Sequence, residues 1–261
     1  MRHGCWSGGV LPLLWVVGLV ACGGTASDQP EALMPVEQAH ERERPTGAIR
    51  WARHITGEPV ILGEFPAEKS GMAVKDGEAH LLVLYSFTGN IDLGERFVRA
   101  PGGPASTALA LARYAQKTGR LEWLKVFGPG PGVEGDVFGG HLAVDSQRNI
   151  ILHAAALGVD FGDGPVWQGE YLLKFDRHGR LLWRRSFEAD PGNLSVFDLL
   201  TDNHDHIIMA GRLIGAVDFG SGRISSKPDP AEGFFGPSPF VVKFSPEGRS
   251  QWAYARSEDF G

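Results

Sequence analysis

From Arg50 to the end of the chain, short apolar runs alternate with small, polar and turn-forming residues. In the middle of this region the runs fall at His141–Val144, Ile150–Ala156, Tyr171–Phe175 and Leu181–Phe187. Their length, and the alternation of Leu, Val and Ile with small or polar residues, fit strands with a buried face rather than helices. Tight turns rich in Asp, Asn and Gly separate them, at Asp145–Asn149 and Asp176–Gly179. The pattern predicts four short antiparallel strands in this unit, with further such units on either side.

Recurring side chains mark the units. Four segments place tryptophan four residues after a glycine: Gly47 to Trp51, Gly119 to Trp123, Gly179 to Trp183 and Gly248 to Trp252. Three of them follow a run ending in a basic–aromatic pair: Arg113-Tyr114, Lys174-Phe175 and Lys243-Phe244. Between tryptophans stand an acidic turn (Asp76, Asp145, Asp202) and, 15 or 16 residues later, an Asp-x-Gly step at Asp92, Asp160 and Asp218. The predicted units span about 56–127, 128–187 and 188–256. The 36 Gly and 17 Pro among 261 residues supply the turns this requires.

Charge and cysteine content narrow the function. A net charge of −6 and the absence of a Lys/Arg cluster exclude a general nucleic-acid binder. The only cysteines are Cys5 and Cys22, both near the N-terminus. The repeat region therefore has no thiol for an internal disulfide, a nucleophile or a zinc site.

The third unit carries Gly215-Ala-Val-Asp-Phe-Gly220, then Pro239-Phe-Val-Val-Lys-Phe244, then Gly248 to Trp252. These segments resemble the bacterial seven-bladed β-propeller repeat. The first unit departs from it at Asp92-Leu93-Gly94, and its segment Tyr114–Trp123 is more similar to a blade of the pyrroloquinoline quinone type. The resemblance implies an all-β, propeller-type array of about three four-stranded blades over residues 47–261. It implies no cofactor, because the blade motif is structural and no quinone-site motif accompanies it. Propellers typically have four to eight blades. Three units plus an extra strand expected at Ile49–Ile55 predict an incomplete ring. Such an array is either truncated or open and able to associate with another chain.

The N-terminus reads differently. Arg2 precedes an apolar run from Val10 to Ala21, shorter than the ~20 residues needed to cross a bilayer. The run ends Leu19-Val20-Ala21-Cys22-Gly23-Gly24. This resembles the lipobox of bacterial lipoproteins, which implies a signal peptide over 1–21 and lipidation of Cys22. Acyl chains anchor by burying CH₂ groups at ~0.8 kcal/mol each. Residues 22–46, polar and without periodic apolar positions, are expected to be a tether. Gly23 and Gly24 follow the cysteine where an Asp would suggest inner-membrane retention, so outer membrane or cell surface is preferred.

Candidate chemistry is sparse. The connections Gly94–Thr107, Gly128–Gly140 and Gly220–Ser238 are long and are expected to share one face, the natural place for a protein or glycan partner. Phe234-Phe235, set among Pro and Gly, is the candidate binding loop there. Asp202, His204, Asp205 and His206 are of metal-ligating type, but they occupy a turn the other units fill with ordinary turn residues. Asp160, Asp163 and Asp218 lack a full calcium-loop pattern. No Gly-x-Ser-x-Gly elbow, His-Glu-x-x-His helix or phosphate loop is present. The sequence thus predicts an envelope-anchored lipoprotein with a non-enzymatic binding or scaffold module. The alternatives are a truncated propeller without independent function, or an enzyme or assembly factor using the loops.

Overall fold

The computed structural model describes residues 51–256 apart from 53, 59–60, 63–64, 67–70, 191 and 228–234. The segments expected to be signal peptide and tether, with Cys22, lie outside the described residues, as does Phe234. The described chain is all-β. It opens with β1 (Thr56–Glu58) and a short pair, β2 (Ile61–Leu62) with β3 (Phe65–Pro66). Three antiparallel sheets follow, each built on a four-stranded meander in chain order. The first is built from β4 (Gly71–Asp76), β5 (His80–Asp92), β7 (Thr107–Ala115) and β8 (Leu121–Phe127). The short β6 (Phe97–Arg99) and β1 pair with the far end of β5. The second sheet is β9 (Asp136–Val144), β10 (Ile150–Leu157), β11 (Gly169–Phe175) and β12 (Leu181–Phe187). The third is β13 (Asn193–Thr201), β14 (Ile207–Ile214), β17 (Ser238–Phe244) and β18 (Ser250–Ala255). Its connection holds the small hairpin β15 (Ala216–Asp218) and β16 (Arg223–Ser225).

Strand pleat explains how the sheets meet. Successive side chains point to opposite faces. Ile150 and Leu152 of the second sheet pack against Leu82 and Leu111 of the first. Ile151 and Leu172, one residue out of phase, pack against Met209 and Val242 of the third. The second sheet is buried on both faces, so Ile150-Ile151-Leu152 and Tyr171-Leu172-Leu173 read as continuous apolar runs. In β14 burial alternates along the strand, because among the described residues the third sheet is covered on one face only. Each fully buried Leu, Ile or Phe contributes ~1.5–3 kcal/mol. The apolar seams between sheets therefore dominate the stability of this disulfide-free region.

The strand expected over Ile49–Ile55 is not found where it can be described. Residues 51, 52, 54 and 55 join no ladder, and pairing begins at Thr56. An outermost strand needs a neighbour to pair with. Trp51 instead docks by its ring against Gly119, and its Nε1 donates to the Gln116 carbonyl at 2.8 Å.

Candidate functional site

The recurring Asp and the recurring cation are one device. Asp76, Asp145 and Asp202 close the turn between the first two strands of their sheets, and each accepts from the cation on the third strand. The three distances, to Arg113, Lys174 and Lys243, are all 2.8 Å. Two of these cations also reach the following sheet. Arg113 Nη1 donates to the Arg177 carbonyl at 3.2 Å, and Lys174 Nζ to the Pro246 carbonyl at 3.1 Å. Each thus ties its own turn to the next sheet's third-to-fourth-strand turn.

That device accounts for most of the metal-type cluster. Carboxylate and imidazole atoms of Asp202, His204 and His206 lie within 4.8 Å of one another. Asp202 Oδ1 already accepts from the backbone N–H groups of His204 and His206, both at 2.9 Å, and Oδ2 from Lys243. In the second sheet Asp145 accepts in the same way from Gln147 and Asn149, and Asn149 Nδ2 takes the place of the His206 ring. A carboxylate used this fully, with an ammonium beside it, is a turn closure rather than an open ligand set. Asp205 points elsewhere. Held at φ 62°, it accepts from Ser146 N–H at 2.8 Å and Ser146 Oγ at 2.7 Å, clipping the third sheet's turn to the second's.

The hydrogen bonds set the acidity of these groups. The Lys243 ammonium, with the His204 and His206 amides, holds the Asp202 carboxyl well below its ordinary 3.8 against a desolvation penalty. Ser146 does the same for Asp205, chiefly through its amide, and the Gly162 and Gly164 amides do so for Asp160. Such groups bind protons more weakly folded than unfolded, so the stability they add is present above the ordinary carboxylate value and lost as pH falls through the folded one. The urea midpoint is expected to hold level from pH 7 to about 5 and to drop below about 4. Asp202→Asn is expected to shallow that acid limb; an unchanged limb would remove Asp202 from the account.

The Asp-x-Gly steps are turns of the same economy. Asp92, Asp160 and Asp218 each accept from the amide two residues on, at 2.8, 2.7 and 2.7 Å. Asp160 and Asp218 also accept from Gly164 and Gly222. Asp163 pairs with Arg184 at 2.7 Å. Of the candidate aromatic loop, Phe235 is half-buried.

A concave site lies elsewhere. A cleft of about 480 Å³ opens between the second and third sheets, at the end where the connections 158–168 and 188–192 run. Its apolar floor includes Phe138, Ala155 and Phe187, and its polar groups are Asp136, Gln168, Glu170, Glu188 and Asn193; among the described residues no Lys or Arg lines it. Glu170 is held from behind, accepting from Nε2 of the buried His153 at 2.9 Å. The His141 ring is 5.8 Å from that of His153, and its Nε2 donates to the Val196 carbonyl of the third sheet. Asp136 accepts from Thr107 Oγ1 at 3.1 Å.

Compared with known proteins, the chain matches no family model and no curated protein. Its functional reading therefore rests on the site itself. Trp167, next in the chain to Gln168, is 87% exposed. It is fixed at its backbone, where Tyr171 Oη donates to the Trp167 carbonyl at 2.6 Å, and burial raises the Tyr171 phenol above its ordinary 10.0. The sequence reading did not single out Trp167. Its signal was available: beyond residue 46 it is the one tryptophan that does not follow a glycine at the repeat spacing.

Proposed function

We propose that this chain is an envelope-anchored, non-enzymatic binding module, a propeller-type array held to a membrane through lipidated Cys22. Its cleft between the second and third blades takes a hydroxyl-rich ligand of the carbohydrate class. The observation that carries the proposal is the cleft's composition: an apolar floor with carboxylate and amide acceptors and, among the described residues, no basic side chain; the exposed indole of Trp167 lies outside that lining but next in the chain to Gln168, which belongs to it. A sugar ring offers the matching surfaces, with hydroxyl donors at its edge and C–H groups on its faces. Few, well-placed polar groups on an apolar lining are the usual make-up of a small-molecule site. The repeat, the face-to-face sheets and the ladder of turn contacts support the propeller reading. The segment Leu19–Cys22 supports the anchor.

The test is calorimetric titration of the full chain with a panel of neutral oligosaccharides. Trp167→Ala is expected to weaken the best binder at least tenfold, about 1.4 kcal/mol, with an unchanged circular dichroism spectrum. Equal affinity in the variant, or no binder in the panel, would sink the carbohydrate reading. In bacterial cells expressing the chain, labelled palmitate is expected in the native chain and not in Cys22→Ser.

A further inference from the structure

We infer that the ligand of this cleft is cationic: an oligosaccharide whose rings carry free amino groups, protonated at neutral pH. The inference rests on the carbohydrate reading and narrows it to one class of sugar.

Charge balance sets the cleft apart from the turns. There, carboxylates meet the chain's own cations: Asp145 meets Lys174 at 2.8 Å, and Asp163 and Asp176 meet Arg184 and Arg180, both at 2.7 Å. Among the described residues, no Lys or Arg pairs with Asp136, Glu170 or Glu188, the three acids of the cleft. Asp136 receives neutral donors, the Thr107 amide at 3.3 Å and hydroxyl at 3.1 Å, both on Oδ1. Glu170 receives His153 Nε2 at 2.9 Å. The Nδ1 of that ring is buried with no partner among the described residues, so the ring donates once and adds no charge. The arginines nearest Glu188 in the chain are committed elsewhere, Arg184 to Asp163 and Arg185 to the Glu247 and Gly248 carbonyls. Carboxylates left without a counter-charge beside an apolar floor favour a ligand that brings the cation with it.

The spacing of these acids suits a long ligand rather than a metal ion. Strand register faces Phe138 with Ala155, Ala155 with Glu170, and Glu170 with Phe187, one row across the second sheet. Asp136 faces Leu157, two residues further along the same face. It thus stands two strands and two residues from Glu170, roughly 10–12 Å between Cα atoms. Glu188 follows Phe187 just beyond the end of β12. A single calcium-type ion would need its oxygens at about 2.3–2.6 Å, and so close to one another. Among the described residues, the group of three drawn that close is Asp202, His204 and His206, outside the cleft. Acids spread over an apolar floor match a ligand with charges set apart along its length and C–H faces between them. A sugar oligomer with an ammonium on each ring has that pattern. A neutral sugar would leave the carboxylates without a counter-charge, and an acidic one would meet repulsion.

Calorimetric titration of the full chain tests this with three β-1,4-linked tetramers, of glucosamine, N-acetylglucosamine and glucose, and with spermidine as a cation without a sugar ring. The glucosamine tetramer is expected to bind at least tenfold more tightly than the other three. Raising salt from about 0.05 M to about 0.5 M is expected to weaken it severalfold, because the added contacts are ionic. In Asp136→Asn/Glu188→Gln, which keeps an acceptor for Thr107, its advantage over the glucose tetramer is expected to fall below threefold. A merely structural effect would weaken both tetramers alike and leave that ratio unchanged, which would overturn the inference. Spermidine binding as tightly as the glucosamine tetramer also overturns it. If the glucosamine tetramer has no advantage while a neutral sugar binds through Trp167, the charge inference has failed and the carbohydrate reading stands. If no sugar binds, charged or neutral, both fall.

Discussion

Replacing Lys174 by methionine is expected to cost about 3–5 kcal/mol of folding stability, because it strands a buried carboxylate. The Asp145 side chain is 1% exposed and its partner's 7%, so neither charge can recover its hydration by a small movement. The variant also removes the donor to the Pro246 carbonyl, loosening the joint between the second and third sheets. A loss this large approaches a third or more of what holds an ordinary domain folded. Urea unfolding measures it directly. The companion variant Asp145→Asn/Lys174→Met discards both charges but keeps an acceptor for the Gln147 and Asn149 amides, and is expected to regain more than half of the loss. If the single variant costs less than about 1 kcal/mol, the pair is an ornament and the ladder does not hold the sheets together.

The second large effect is expected at Gly211, where alanine should cost about 3 kcal/mol. Gly211 sits opposite the bulge at Val196–Asp198. A methyl there would run into the Ser195 carbonyl oxygen and come within 2.9 Å of Val196 Cα and 2.8 Å of Phe240 Cε1. Two of these are backbone atoms of a paired strand and cannot step aside as a side chain could. The second sheet solves the same crossing the other way. Its bulge is Gly139-Gly140, at φ 69° and 136°, and the residue facing it is Ala154. One side of each bulge must lack a Cβ, and the two sheets place the gap on opposite strands. Thermal unfolding of Gly211→Ala beside a neutral surface variant decides the matter; an unchanged midpoint would mean the bulge can relax.

Strands were legible because their period and their turns are local properties. In the second unit the predicted runs Ile150–Ala156 and Leu181–Phe187 meet observed strands Ile150–Leu157 and Leu181–Phe187. Residues His141–Val144 extend back to Asp136 through the glycine bulge, which looked like loop in composition. The basic–aromatic pair was visible as a pattern, but its purpose was not. Asp145 and Lys174 are far apart in sequence and meet only across three strands. The cleft was harder still, since its polar groups come from the ends of three strands and from two connections. Attention to Gly- and Pro-rich segments favoured Phe234-Phe235, of which Phe234 lies outside the described residues; the most exposed ring among the described residues is that of Trp167, in the similar stretch Gly164-Pro165-Val166-Trp167. Composition locates a loop; only the packing of the adjoining strands decides which of its aromatics stays in water.

The ladder from Asp and cation to the next turn's carbonyl also has a direction. At each of the two joints, between the first and second sheets and between the second and third, the earlier unit hands a donor forward and the later one offers a carbonyl backward. A whole unit duplicated in the gene would fit at either joint, since its turn would meet the cation behind it and its cation the turn ahead. Half a unit would leave one buried charge without a partner. Lengthening in whole repeats is therefore the course of least energetic resistance for such a chain, and the ion pair is the part that keeps count.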